Sequence, residues 1–444
     1  MAKDPAVIII GAGMSGLAAA CELGRAGIPV QILEARDRLG GRVLTVHDDV
    51  CNVPVELGAE FIHGRPPEIF DPLTKAKIRV SEVEGEGWCA ADGALSTCSF
   101  EDDVDSILEK MTDSAPDESF QEYLDRCCKR AKPQSRQRAI AYVSGFNAAD
   151  PGLVGVHWLV QEMRAERKIQ GDRAFRAPNG YADLLRIFHD EIKRHGAAVN
   201  VQTVAKDVNW RQGSVRLTTF GPDGSSELEA SRVLITVPLS LLKISKERDS
   251  TLKFRPVLPA GFMDALDKFE MGTVIRVSLR FRERFWAEIR PQPFAGKSMS
   301  NMSFLFSHDE WFPTWWTTMP RRDPIITGWA PFRAGERLSG QSESFVVERS
   351  LRSLGEILRM DLRELESLFE KAYLHDWQAD PFSRGAYSYG KVGALKAQQV
   401  LGQPIDGTLF FAGEATDTTG NNGTVHGAIA SGQRAARQIL RQIE

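Results

Sequence analysis

The run Val7-Ile8-Ile9-Ile10 passes without a break into Gly11-Ala12-Gly13-Met14-Ser15-Gly16, and this junction restricts the chain to few folds. Four successive apolar residues without alternation read as a strand of a parallel sheet covered on both faces. In such a turn the first glycine permits the tight bend. The second lets backbone approach a pyrophosphate, and the third lets helix and strand pack closely. Leu17 to Arg25 reads as the following helix, whose first N–H groups and positive dipole end suit phosphate. Gly27 ends it, and Ile28 to Leu33 is a second strand that finishes at Glu34. That is close to the spacing of about 20 residues at which an acid meets a ribose. An acid there accepts from ribose hydroxyls and repels a 2′-phosphate, which disfavours NADP.

The far end of the chain makes sense beside this one. Phe410-Phe411-Ala412-Gly413-Glu414-Ala415-Thr416 reads as a strand entering a loop, and Val425 to Ile439 as a helix that begins just after Gly423-Thr424. A second glycine-bearing loop and helix start suits the other end of a long dinucleotide, and the pair points to FAD and so to redox chemistry. Ala35-Arg36-Asp37-Arg38-Leu39-Gly40-Gly41-Arg42 follows the ribose acid. It is either more backbone along the pyrophosphate, with Arg42 on phosphate oxygens, or a solvated basic loop.

A chain of 444 residues exceeds the size at which one core keeps growing, so two domains are expected. The formal net charge is −4, without the basic excess that nucleic acid would require. No apolar stretch reaches the roughly 18 residues of a membrane span. Met1 to Pro5 leads straight into the first strand, which predicts no signal peptide. Cys21, Cys51, Cys89, Cys98, Cys127 and Cys128 lack the paired spacing of a metal site. No metal is expected, and the thiols are expected to be reduced in a cytoplasmic protein.

The fold expected is α/β: a Rossmann-like FAD-binding domain with a parallel sheet, and an inserted domain of mixed sheet plus helices. The cofactor domain is placed at 1–75, 192–245 and 395–444, and the substrate domain at 76–191 and 246–394. Residues 100–175 read as helical, with Phe100, Val104, Ile107, Leu108 and Met111 as one core-facing stripe. Strands are expected around Val199–Val204, Val215–Thr218, Arg232–Val237 and Val274–Phe281, and helix over 344–372.

Five segments in order resemble the flavin-containing amine oxidases, a family of monoamine, polyamine and amino-acid oxidases and flavin-dependent histone demethylases. They are GAGMSGLAAACELGRAGIPVQILEARDRLGGR, ELGAEFIHG, TVPLSLLK, DPFSRGAYSYG and FFAGEATDTTGNNGTVHGAIASGQRAA. The resemblance spans nearly the whole chain. It implies that Gly11, Gly13, Ser15 and Gly16 hold pyrophosphate, that Glu34 and Ala35 lie at the adenosine ribose, and that Arg36, Gly41 and Arg42 line the phosphates. It further implies that Gly58, Ala59, Glu60 and Phe61 pass the flavin ring and that the Val204 backbone meets adenine. Gly413 and Glu414 would contact the phosphate and ribityl region, with Thr424 and Val425 at the pyrimidine edge. The reaction implied is oxidation of a C–N bond. A hydride passes from the amine α-carbon to flavin N5, the imine hydrolyses, and dioxygen reoxidises the flavin with release of hydrogen peroxide.

Tyr387 matches one of two tyrosines that frame the amine in many members, and Trp377 an aromatic found beside the flavin; Thr424 stands at the second tyrosine position, an arrangement more like polyamine oxidases and histone demethylases than monoamine oxidases. For both aromatics the alternative is core packing. Ala386 replaces the cysteine that joins the flavin in those enzymes, so FAD is expected to be non-covalent. Arg276 stands where the family carries a lysine linked through water to N5. Arginine could still hold a water there but does not serve as a base; either this branch uses arginine at the position, or oxygen reactivity or turnover is altered, or Arg276 merely pairs with a carboxylate. His63 is as compatible with a structural part as with a catalytic one. Glu60 and Glu162 are candidates to attract a cationic amine, and Trp311, Trp315, Trp316 and Trp329 to line an aromatic entrance or fill the core. A small amine and dioxygen are the implied partners, without nucleic acid or membrane, and the sequence is silent on oligomeric state. Two other readings stand beside this one: a flavin-dependent C–C desaturase or porphyrinogen-type oxidase, and an FAD-bound protein disabled at Arg276.

Overall fold

The computed structural model describes residues 6–91, 93–98, 101–129, 131–243, 252–291 and 297–443. Its organising element is a five-stranded parallel sheet in the order Ala198–Asn200, Val30–Leu33, Val7–Ile10, Arg232–Ile235, Leu409–Phe411. Strands from the start, middle and end of the chain thus meet side by side. Successive side chains of a strand point to opposite faces. Val7 and Ile9 enter one core with the helices Met14–Arg25, Ala182–Arg194 and Val425–Leu440. Ile8 and Ile10 enter another with Val208, Leu217, Phe262 and Phe411. All four residues are at most 5% exposed, which is why the run carries no polar alternation.

The first and last helices cross where both chains are small. A Cβ on Gly432 would lie 2.1 Å from the Ser15 carbonyl oxygen, so no larger residue permits this contact. A second sheet of seven strands is mixed, in the order Phe369–Leu374, Val274–Phe281, Ile325–Pro331, Thr314–Thr317, Met302–Phe306, Glu86–Ala91, Ala94–Thr97. All eight residues of Val274–Phe281 are buried. Ile275, Val277, Leu279 and Phe281 face a core shared with the helix Glu343–Leu358, which turns Arg276 and Arg280 to the opposite face.

Residues 101–168 carry four helices, and Val104, Ile107, Leu108 and Met111 are buried together as the stripe requires; Phe100 lies outside the described residues. Three expectations are corrected. Val199–Val204 is not one strand, because the chain leaves the parallel sheet at Asn200 and enters another sheet at Val204. Between them, the N–H groups of Gln202 and Thr203 bond to the carbonyls of Arg36 and Glu34 at 2.7 and 2.8 Å. Helix does not run through 344–372, since Phe369–Leu374 is an edge strand. The thiols are not all reduced: Cys89 and Cys98 form a disulfide, brought together by the hairpin that pairs Cys89 with Ser96.

Candidate active site

Gly11 has φ +109°, and a Cβ on Gly16 would lie 2.1 Å from the Gly11 oxygen, so the turn needs both glycines for its own packing. Gly13 is different. Its φ is −71°, and an added Cβ would meet only the Gly41 Cα, at 3.9 Å. The protein itself does not require glycine there, and a ligand approaching the backbone would. The Gly13–Met14 turn lies beside the Gly40–Gly41 loop, joined by the Gly40 N–H to the Ala12 carbonyl at 2.9 Å. The helix that starts at Met14 has no side-chain cap and no acid in its first turn, so its N–H groups are free for an anion.

The C-terminal segment completes this cradle. Ser15 Oγ is 3.3 Å from Ser431 Oγ, which accepts from the Gly413 N–H at 2.9 Å. Gly413 has φ +134°, and an added Cβ would meet nothing within 4 Å. Glu34 is 4% exposed and accepts from the N–H groups of Ala12 and Arg36, both at 2.9 Å, while half-buried Ala35 lies between. Val204, half-buried, follows the Thr203 N–H that binds the Glu34 carbonyl.

The charged side chains nearby are committed to the protein. Arg36 reaches Asp380 at 2.6 Å and Ser383 at 2.9 Å. Burial opposes ionisation of Asp380, but His375 and Arg36 outweigh it and hold the carboxyl down at about 2. Arg42 donates to the Ala386 carbonyl at 2.7 Å and to Glu414 at 3.1 Å. Glu414 also accepts from Ser388 Oγ at 2.6 Å and the Gly423 N–H at 3.0 Å, so its carboxylate knots three segments together. At this position the backbone is what remains for a ligand.

Thr424 caps the last helix, accepting from the Gly427 N–H at 3.0 Å and donating to the Asn421 carbonyl at 2.6 Å. Val425 is the first helical residue, and no acid occupies the first turn. Tyr387 lies beside this start, since a Cβ on Gly423 would be 3.3 Å from its ring. Its hydroxyl donates to the Phe146 carbonyl at 2.6 Å, and burial and then Glu162 push its pKa up. Trp377 donates to the Leu57 carbonyl at 2.7 Å. Gly58 is held between Trp377 and Arg42, with a Cβ only 1.8 Å from the Arg42 oxygen, and the Ala59 N–H also reaches that oxygen.

Glu60 does not offer a free carboxylate to a cation. It accepts from Arg176 at 2.7 and 2.9 Å, from Arg276 at 2.5 Å and from Trp316 Nε1 at 3.0 Å. Burial opposes its ionisation, yet the two guanidinium groups win and lower its pKa. Arg276 is 5% exposed and also donates to the Gly58 carbonyl at 3.0 Å. Its pairing with a carboxylate is therefore the arrangement present. Phe61 and Trp316 meet edge to face at 5.5 Å, His63 lies 6.0 Å from Phe61 and 5.3 Å from Phe146, and Trp329 is 5.7 Å from Trp316. Burial lowers His63 to about 4 and His426 to about 3, the latter helped by His63. Both imidazoles are neutral near pH 7. Of the four tryptophans considered for an entrance, Trp315 is wholly in the core and Trp311 packs on Phe345; Trp316 and Trp329 are in the aromatic cluster.

Glu162 has no ion pair among the described residues. It accepts from Asn147 Nδ2 at 3.0 Å, and burial, then Glu166, raise its pKa well above the usual range. Glu166, one turn further along the same helix, is pushed up to about 7 by burial. Sequence reasoning missed Arg176 and Asn147, whose partners Glu60 and Glu162 lie on other elements of the chain and leave no local pattern. Among the described residues no cluster suits a metal ion, and no helix is long and apolar enough to cross a membrane.

The family model for flavin containing amine oxidoreductases matches residues 14–86 and 98–440. Polyamine oxidase 4 of Oryza sativa subsp. japonica is 25% identical, over 100% of this chain and 90% of its own length. Lysine-specific histone demethylase 1 homolog 2 of Arabidopsis thaliana is 27% identical over 98% of this chain, which spans 58% of that larger protein. Among solved structures, wild-type putrescine oxidase bound to putrescine superimposes with a TM-score of 0.81 at 21% identity, covering 99% of each chain.

Proposed function

The chain belongs to the family of flavin containing amine oxidoreductases, and on that premise we propose that it oxidises the C–N bond of a small amine with FAD bound non-covalently. The observation that carries this reading is the junction of two helix starts. Gly13 leaves room the protein does not fill, the Gly413 loop is tied to it through Ser15 and Ser431, and Tyr387 stands at the second helix start. Gly11, Gly13, Gly16 and Gly41 would run along the pyrophosphate, Glu34 would take the ribose, and the Val425 helix start would face the flavin. FAD, when bound, would accept the hydride from the amine α-carbon and be reoxidised by dioxygen, giving hydrogen peroxide. The chain's own part is to bind, orient and dry the amine. Tyr387, Trp377, Phe61 and Trp316 supply apolar walls, and burial favours the neutral, reactive amine. Thr424 acts through its cap on the helix, and Ala386 offers no nucleophile for a covalent link. Glu162, whose pKa burial raises and which has no cation partner among the described residues, would ionise beside an amine that carries a second, charged nitrogen.

The test is anaerobic mixing of the yellow protein with amines. Putrescine or spermidine bleaches the flavin, and acid precipitation releases it into solution. Glu162→Gln raises KM for putrescine about tenfold and leaves that for a monoamine unchanged. Bleaching by a polyene or porphyrinogen alone would move the protein to the desaturase reading. No bleaching by any of these would leave an FAD-bound protein without amine chemistry.

A further inference from the structure

We propose that Arg176, Glu60 and Arg276 form a specificity-determining triad that prevents the Phe61–Trp316 wall from holding a cation, so that an amine meets this wall uncharged. The proposal rests on the amine reading and adds to it a device for selecting the form of the substrate.

The charge count is the first argument. One carboxylate serves two guanidinium groups, which leaves one net positive charge behind the wall. The side chains of Arg176, Glu60 and Arg276 are 14%, 12% and 5% exposed, so water screens this charge poorly. Glu56 is pushed up to about 7 by burial and does not offset the charge below that pH. His63 is neutral.

The rings are the second argument. Arg176 lies 4.6 Å from the Phe61 centroid, and Arg276 lies 5.5 Å from that of Trp316. The attraction of an aromatic face for a cation comes from its quadrupole. Here each ring is already engaged by a guanidinium. A substrate ammonium on an open side would meet spent π density and a like charge behind it. The hydrocarbon of an amine pays no such penalty.

Choline and its uncharged isostere 3,3-dimethylbutanol test this by calorimetry on the oxidised FAD-loaded protein, without oxygen and below pH 7. The wild type binds the alcohol more tightly than its loss of charge alone would suggest. Arg176→Met, which leaves Glu60 paired with Arg276, shifts the affinity ratio about tenfold toward choline. Arg176→Lys keeps the wild-type ratio, which a merely structural part for the guanidinium would not predict. Arg176→Gln retains a donor for Glu60 and decides the matter if the methionine variant does not load FAD. An unchanged ratio in a loaded neutral variant overturns the triad. The readout needs no turnover, so it stands apart from failure of the amine reading.

Discussion

The glycine cradle and the arginine-backed aromatic wall lie in one molecule but are made in opposite ways. The cradle is backbone. Gly11 and Gly16 are close neighbours in the chain, and their tolerance is set by contacts as short as 2.1 Å. The wall is side chain. Glu60, Arg176, Arg276 and Trp316 come from four distant segments, and three of them converge on one carboxylate. A backbone site fails by steric exclusion and leaves a motif. A side-chain site fails by loss of electrostatic balance and leaves none.

Substitutions can break or sharpen this contrast. The largest effect is expected for Gly16→Val in the cradle. Its Cβ would overlap the Gly11 oxygen, and backbone cannot yield as a flexible side chain can. No folded yellow protein is expected, as read by thermal unfolding and the flavin-to-protein ratio. Glu60→Gln comes next. It leaves two buried guanidinium groups on a neutral partner, at a cost of about 3 kcal/mol, measured by urea unfolding. A loss no larger than that of a surface variant would mean that the wall tolerates unbalanced charge.

A smaller effect belongs to pH. His63 has a folded pKa of about 4 against an ordinary value of about 6.5. Between these values the unfolded chain binds the proton and the folded one does not. The contribution of the neutral ring is therefore intact above 6.5 and lost as pH falls toward 4. Melting temperature should drop more between pH 7 and 5 in the wild type than in His63→Phe; equal drops would show that His63 is protonated without cost. The smallest change in stability is expected for Gly13→Ala, where the new methyl meets only Gly41 at 3.9 Å. The protein without flavin should keep its stability to within about 0.5 kcal/mol, while FAD affinity falls. A stability loss like that of Gly16 would remove the argument that this space belongs to a ligand.

The parallel sheet was legible because its strands are covered on both faces and so lost alternation; Val7–Ile10 and Arg232–Ile235 could be read directly. Arg276 was legible as an arginine at the family's lysine position, with pairing to a carboxylate among its alternatives, but not that Glu60 would be the partner or that Arg176 would share it. The break at Val201–Thr203 was not legible, because hydrogen bonds to Arg36 and Glu34 impose it. Neither was the Cys89–Cys98 disulfide, which depends on hairpin register.

By itself the amino-acid order determined the glycine turn, the helix start and the acid at the end of the second strand, since these are demands of backbone geometry between near neighbours. It also determined that both ends of the chain serve one sheet, through strands that only burial on two faces explains. Tertiary structure alone decided what the charges do. It spent Glu60 on two arginines, tied Arg36 to Asp380 and Arg42 to Glu414, and left Glu162 without a cation partner among the described residues. The reason is physical: a buried charge answers to whatever opposite charge lies within a few ångströms, and sequence distance carries no information about that.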